Sequence, residues 1–244
     1  MKMTLNEHLR ELKIRLIISI CIMFVAVCIN YVYADKVFQF LLAPLAEVLA
    51  AQNISRNLIY TGLTEAFITK IKIAIFTGVF FSAPIVAWQI YRFIAPGLFK
   101  RERMAFIPYL IFSPILFFTG AFLVYAYIMP LAWGFFISFE GDLSATMPLI
   151  LEAKISEYIS LVIGLIIAFG AAFQLPLVLI LLVHVGFLKV EKLVAFRRYA
   201  IVLIFLVAAI ITPPDVLSQV ALAVPLVLLY EISILICKRI NKAK

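Results

Sequence analysis

Two carboxylates stand out by their company. Glu11 lies in the run His8-Leu9-Arg10-Glu11-Leu12-Lys13-Ile14-Arg15-Leu16. On a helix it falls one turn after His8 and one turn before Arg15. Such a pair, if solvated, contributes only ~0.2–0.5 kcal/mol. Glu102 is the acid in Phe93-Ile94-Ala95-Pro96-Gly97-Leu98-Phe99-Lys100-Arg101-Glu102-Arg103, where Pro96-Gly97 marks a turn. Each can be read as local charge compensation, with Glu102 also suiting the positive end of a helix that begins there. A third group is polar and lies within or beside apolar runs: Gln174 in Phe169-Gly170-Ala171-Ala172-Phe173-Gln174-Leu175-Pro176, Glu231, and Asp215 in Thr212-Pro213-Pro214-Asp215. Polar groups in hydrocarbon are costly and turn toward a cavity or a partner. An internal hydrogen bond would serve Gln174 equally well. There is no nucleophile beside a base, no phosphate loop and no Cys/His metal spacing, so nothing argues for an enzyme or a cofactor.

The elements that carry these residues are set by composition. The chain has 244 residues, 66% of them hydrophobic and 14% charged. A water-soluble domain is nearer half apolar and a quarter charged, so lipid must cover part of this surface. The net charge of +8 is distributed in alternation. Four basic residues precede the first apolar run (Lys2, Arg10, Lys13, Arg15). Four more lie in the second gap (Arg92, Lys100, Arg101, Arg103), four in the fourth (Lys189, Lys192, Arg197, Arg198) and four in the tail (Lys238, Arg239, Lys242, Lys244), which together are 16 of the 21. Retention of basic loops on the cytoplasmic side turns this pattern into six spans with both termini inside, and makes nucleic acid an unlikely reason for the charge. The three cysteines lie within or at the end of apolar runs, away from any outer loop.

The expected architecture is an all-α membrane protein, one polytopic domain over residues 1–244. Its spans run at about 16–33, 73–91, 105–130, 158–183, 199–211 and 216–237. Pro84, Pro108 and Pro114 suggest bent helices forming a concave bundle. The last two spans are expected to be short. The 13 residues from Tyr199 to Ile211 reach only ~20 Å of a ~30 Å hydrocarbon core. Between spans 1 and 2, apolar residues from Val37 to Leu49 predict a short amphipathic helix on the outer surface, interrupted near Pro44. Thr61 and Thr64 are candidate caps for span 2. The basic start, the apolar run and Val32-Tyr33-Ala34 before Asp35 also fit a cleaved signal peptide, although the run is long for one.

In combination the motifs resemble the TatC family, the multi-span receptor subunit of twin-arginine protein export. The resemblance rests on HLRELKIRL, on Ser82-Ala83-Pro84, on FIAPGLFKRER, on FGAAFQLP and on TPPDVLSQ ahead of Pro225, in that order. It implies an uncleaved first span and a multi-pass protein of the cell inner membrane. It further implies that Glu11 and Glu102, with Arg15 and Arg103 beside them, bind the paired arginines of signal peptides. Guanidinium presents a planar fork to a carboxylate, which Lys cannot reproduce. Polar contacts with single-span TatA/TatB-type subunits are implied around spans 4 to 6, near Gln174, Asp215 and Glu231. The implied assembly is a homo- and hetero-oligomer that exports folded cargo on the proton motive force. Gln174 stands where many members of the family carry Glu, and Lys13 where Arg is usual. A small secondary transporter with a polar midplane site is the alternative, and a structural assembly subunit is another.

Overall fold

The computed structural model describes residues 5–54, 58–94, 100–138, 152–211 and 216–242. Nine α-helices carry the described chain: α1 Leu5–Ala51, α2 Glu65–Ile94, α3 Lys100–Leu123, α4 Met129–Ser138, α5 Ile155–Ala172, α6 Leu175–Val185, α7 Val190–Ala195, α8 Arg197–Ile211 and α9 Val216–Lys242. A π-turn, Val124–Ile128, joins α3 to α4. The described extended pairing is one parallel bridge, Ile59 with Lys154. Among the described residues five stretches are long and apolar enough to cross a membrane. The chain packs as two compact units, one of residues 1–40 with 62–114, the other of residues 41–61 with 115–244.

In the first unit α1 and α2 approach closely at Gly78. A Cβ there would stand 2.7 Å from the backbone N and Cα of Val27, so only hydrogen fits. Asp35 and Lys70 join the same two helices by a solvent-facing ion pair of 2.7 Å, which water and salt screen. Thr64 occupies the cap position of α2. Its carbonyl accepts the Ile68 N–H at 2.9 Å, while Glu65 Oε2 accepts the Gly62 N–H at 3.2 Å.

The expected interruption near Pro44 does not occur. The 47 residues of α1 form one helix with Pro44 inside it, ~70 Å long at ~1.5 Å per residue. It crosses the expected signal-peptide site without a break, and Ala34 is buried there. Proline removes one N–H and crowds the preceding turn. Buried packing offsets that loss: Leu41 and Leu45 are in the core of the second unit, and Tyr158 donates its hydroxyl to the Leu41 carbonyl at 2.8 Å.

The second unit has its core along α5 and α9, where Ile159, Val162, Phe169, Leu222, Ala223 and Ile234 are fully buried. Helix α9 packs on α6 and α8. Three expectations need correction here. Span 3 extends past 130 to Ser138, with a π-turn in which the Met129 N–H reaches back to the Val124 carbonyl. Pro130 follows and cannot donate to Ala126, and the widened turn relieves the crowding its ring would cause. Span 4 is two helices. It breaks at Phe173-Gln174 because Pro176, in the first turn of α6, leaves the preceding turn without a donor. The two pieces still read as one candidate span, Ile155–Val185. The sixth span is not short: α9 has 27 residues, about 40 Å.

The region expected as the fifth span forms a short helix. Helix α8 has 15 residues, about 22 Å, which falls short of a ~30 Å core. Gly186 ends α6 at φ 90°, a left-handed cap that a side chain would strain.

Candidate functional site

The first helix places its leading residues against the end of α2. The His8 ring stacks on Phe93 with centroids 4.4 Å apart and planes 19° apart. Two turns on, Arg15 sends both Nε, at 3.0 Å, and a terminal nitrogen to the same oxygen of Glu11, Oε1. Its other terminal nitrogen donates to Gln89 Oε1 at 3.3 Å. Glu11 and Arg15 thus form no ordinary surface pair. Their side chains are 18% and 16% exposed, and the fork ties α1 to α2.

The second oxygen of Glu11 is the chemically open one. Oε2 is buried and has no hydrogen-bond partner among the described residues. Leaving a buried acceptor unsatisfied costs ~1–3 kcal/mol, and more for a charged one. A carboxylate held on one side by an arginine and bare on the other is therefore prepared for a further donor. A guanidinium suits it best, because it adds charge and geometry together.

Glu102 and Arg103 fall in the first turn of α3, which starts at Lys100. Their side chains lie outside the described residues. The backbone still fixes their neighbourhood: residues 95–99 link α2 to α3, and that connection spans at most ~20 Å. The start of α3 therefore lies at the same end of the first unit as Phe93 and His8. An acid in this turn also benefits from the helix N-terminus.

The remaining candidates belong to the second unit. Gln174 sits at the break in span 4, as the residue before α6. Its N–H donates to the Ala171 carbonyl and its own carbonyl accepts from Val178, both at 3.0 Å. Glu231 is held by Arg197, Oε2 to a terminal nitrogen at 2.7 Å, which joins α9 to the start of α8. Asp215 lies outside the described residues. Beside it, Gln219 donates from Nε2 to the Phe205 carbonyl at 3.0 Å and clamps α9 to α8. No cluster of three or more His, Cys, Asp or Glu close enough to hold a metal occurs among the described residues.

Three participants escaped the sequence reading. Gln89 looked like one polar residue near the end of a span. Arg197 looked like one of four loop cations. Phe93 was one of 22 phenylalanines. Of these only Phe93 had a signal, as the first residue of FIAPGLFKRER, just as Gln219 is the last residue of TPPDVLSQ.

The family described as Sec-independent protein translocase protein (TatC) matches residues 7–225. The Sec-independent protein translocase protein TatC of Rickettsia prowazekii is 49% identical over 236 residues, covering 97% of this chain and 93% of the relative. That of Magnetococcus marinus is 44% identical over 243 residues, covering all of this chain and 87% of the relative. A crystal structure of the twin-arginine translocase receptor TatC in DDM superposes with a TM-score of 0.76 at 40% identity, over 94% of this chain and 98% of that one. With its apolar helices and the motifs carried on them, this chain is a multi-pass inner-membrane protein and belongs to the TatC family of Sec-independent protein translocase proteins.

Proposed function

We propose that this protein is the receptor subunit of a twin-arginine translocase, binding the paired arginines of signal peptides at its cytoplasmic face. The observation that carries the reading is the half-satisfied carboxylate of Glu11: one oxygen engaged by Arg15, the other buried and without a partner among the described residues. Glu102, at the same end of the first unit, supplies a second carboxylate, so that each arginine of the pair has its own acceptor. Arg15 holds Glu11 in place until a peptide arrives. The related crystal structure is that of a twin-arginine translocase receptor, which supports this role. The protein then recruits single-span TatA/TatB-type subunits along spans 4 to 6 and exports folded cargo on the proton motive force. A photoreactive signal peptide in membranes lacking the other subunits provides the test. The Arg-Arg peptide is expected to crosslink to the first unit, and its Lys-Lys counterpart much less. Equal crosslinking of the two would remove the guanidinium from the proposal.

This function requires a particular orientation. Both termini and the loops around Glu102 and Glu191 face the cytoplasm, while Asn57, Asp142 and Asp215 face outward, as the distribution of basic residues demands. In a variant with the native cysteines replaced, single cysteines at 57, 142 and 215 should react with an impermeant thiol reagent in intact cells. Those at 102 and 191 should react only after lysis. Strong labelling at 102 before lysis would contradict the orientation.

Gln174 is proposed to face a partner helix or a wet cleft and not lipid, since an amide without a partner in hydrocarbon costs several kcal/mol. Gln174→Leu is expected to leave membrane insertion intact and to lower copurification of the single-span subunits, or export itself. Unchanged copurification and export would make the amide an internal hydrogen-bonding group only.

A further inference from the structure

A cleft in the second unit is matched to a different ligand. It lies between α6, the short helix α7 and α8, with a volume of about 410 Å³, within the ~300–1,000 Å³ typical of small-ligand sites. Its floor is buried and apolar, formed by Leu193, Ala200, Ile204 and the ring of Tyr230. The Tyr230 hydroxyl is already spent, donating to the Leu193 carbonyl at 2.8 Å. Phe196 and Lys192 stand at the exposed mouth. Water needs about two to four polar partners to settle in such a space, and Lys192 is the single charged residue of the lining.

Dimensions and charge narrow the occupant. Leu175, at the break in span 4, lines the deep end of the cleft, and the α7 connector with Lys192 lines the other. Between them α6 runs 11 residues, about 15 Å, which is the depth of one leaflet of a ~30 Å core. The connector is basic, with Lys189, Lys192, Arg197 and Arg198 against Glu191. Arg197 is engaged by Glu231, and Arg198 donates to Tyr199. Helix α8 is also too short to match the bilayer by itself. An apolar slot one leaflet deep with a cation at its mouth fits a chain with an anionic head. The geometry points to a site for an anionic glycerophospholipid of the cytoplasmic leaflet, one acyl chain lying along α6 and the phosphate on Lys192.

The full-length protein in vesicles tests this. Leu203, exposed at the cleft, is replaced by Trp as a reporter, and Leu228→Trp on the face of α9 opposite Tyr230 is the control. Both are made in a background without Trp88 and Trp133. Phosphatidylglycerol and phosphatidylcholine, each with brominated chains, are titrated as quenchers. The reporter at 203 should prefer phosphatidylglycerol about fivefold, the effect of one basic residue near the surface. At 228 the two lipids should quench alike. Lys192→Gln should abolish the preference at 203 while leaving quenching by phosphatidylcholine unchanged. Equal preference at both positions would reduce the effect to general surface attraction and overturn the site. So would a preference that survives Lys192→Gln, or displacement of both lipids by a coexpressed single-span subunit, which would assign the cleft to a protein helix.

Discussion

Glu102→Ala is expected to weaken binding of an Arg-Arg signal peptide roughly ten- to hundredfold, the loss of one charged hydrogen-bonded pair of ~1.5–3 kcal/mol. The protein should remain inserted and folded, because Glu102 lies in the first turn of α3. Glu102→Gln should also be defective, since an amide cannot present two equivalent anionic acceptors to a guanidinium. Glu11→Ala should reduce binding less. Arg15 already occupies Oε1 of Glu11, so only Oε2 is offered to the guest and only part of the charge is lost to it. Binding of solubilised variants to Arg-Arg and Lys-Lys peptides decides the matter. If Glu102→Ala binds the Arg-Arg peptide as wild type does, Glu102 has no part in recognition.

The second large effect is structural. Gly78→Val is expected to disrupt the packing of α1 on α2, because any side chain at 78 meets the Val27 backbone at 2.7 Å. Overpacking of this kind costs about 1–3 kcal/mol, and more where backbone must move. The solubilised protein should lose thermal stability and bind signal peptide poorly, since α1 and α2 together align Glu11, Arg15 and Gln89. Val27→Ala should rescue it only in part: Val27 Cγ2, at 2.6 Å, is one clash, and N and Cα remain. Gly164→Ala, with no atom within 4 Å of the new Cβ, is the control and should be neutral. Thermal unfolding followed by size-exclusion chromatography measures all three. A Gly78→Val protein as stable as wild type would show that the helices can part there without loss.

Much of the molecule was legible in the chain because lipid is a strict solvent. It accepts only helices with satisfied backbones, so apolar runs locate the membrane-crossing segments and basic gaps assign their expected sides. The ladder of motifs identified the family, and the roles proposed for Glu11 and Glu102 rest on that resemblance. The shortness of the fifth span followed from residue count alone, and α8 has that character. Proline was the weak point. Pro44 and Pro176 look alike in sequence, yet α1 runs through the first and span 4 breaks before the second. Local chemistry is the same in both; around Pro44 the packing of Leu41 and Leu45 and the hydrogen bond from Tyr158 hold the chain in helix, and that packing is not written in the local sequence.

Pairing was the other matter that sequence left open. The chain places Glu11 one turn before Arg15, and that spacing alone predicts a weak solvated pair. Tertiary structure made it a largely buried fork on Gln89 with one bare oxygen, because α2 covers the start of α1 and takes water away from it. Arg197 was one loop cation among four until α9 brought Glu231 within 2.7 Å of it. The sequence by itself determined which segments enter lipid and which residue types they carry. Which charges are satisfied internally and which stay open to a guest was decided only by packing, because desolvation depends on neighbours that are distant in the chain.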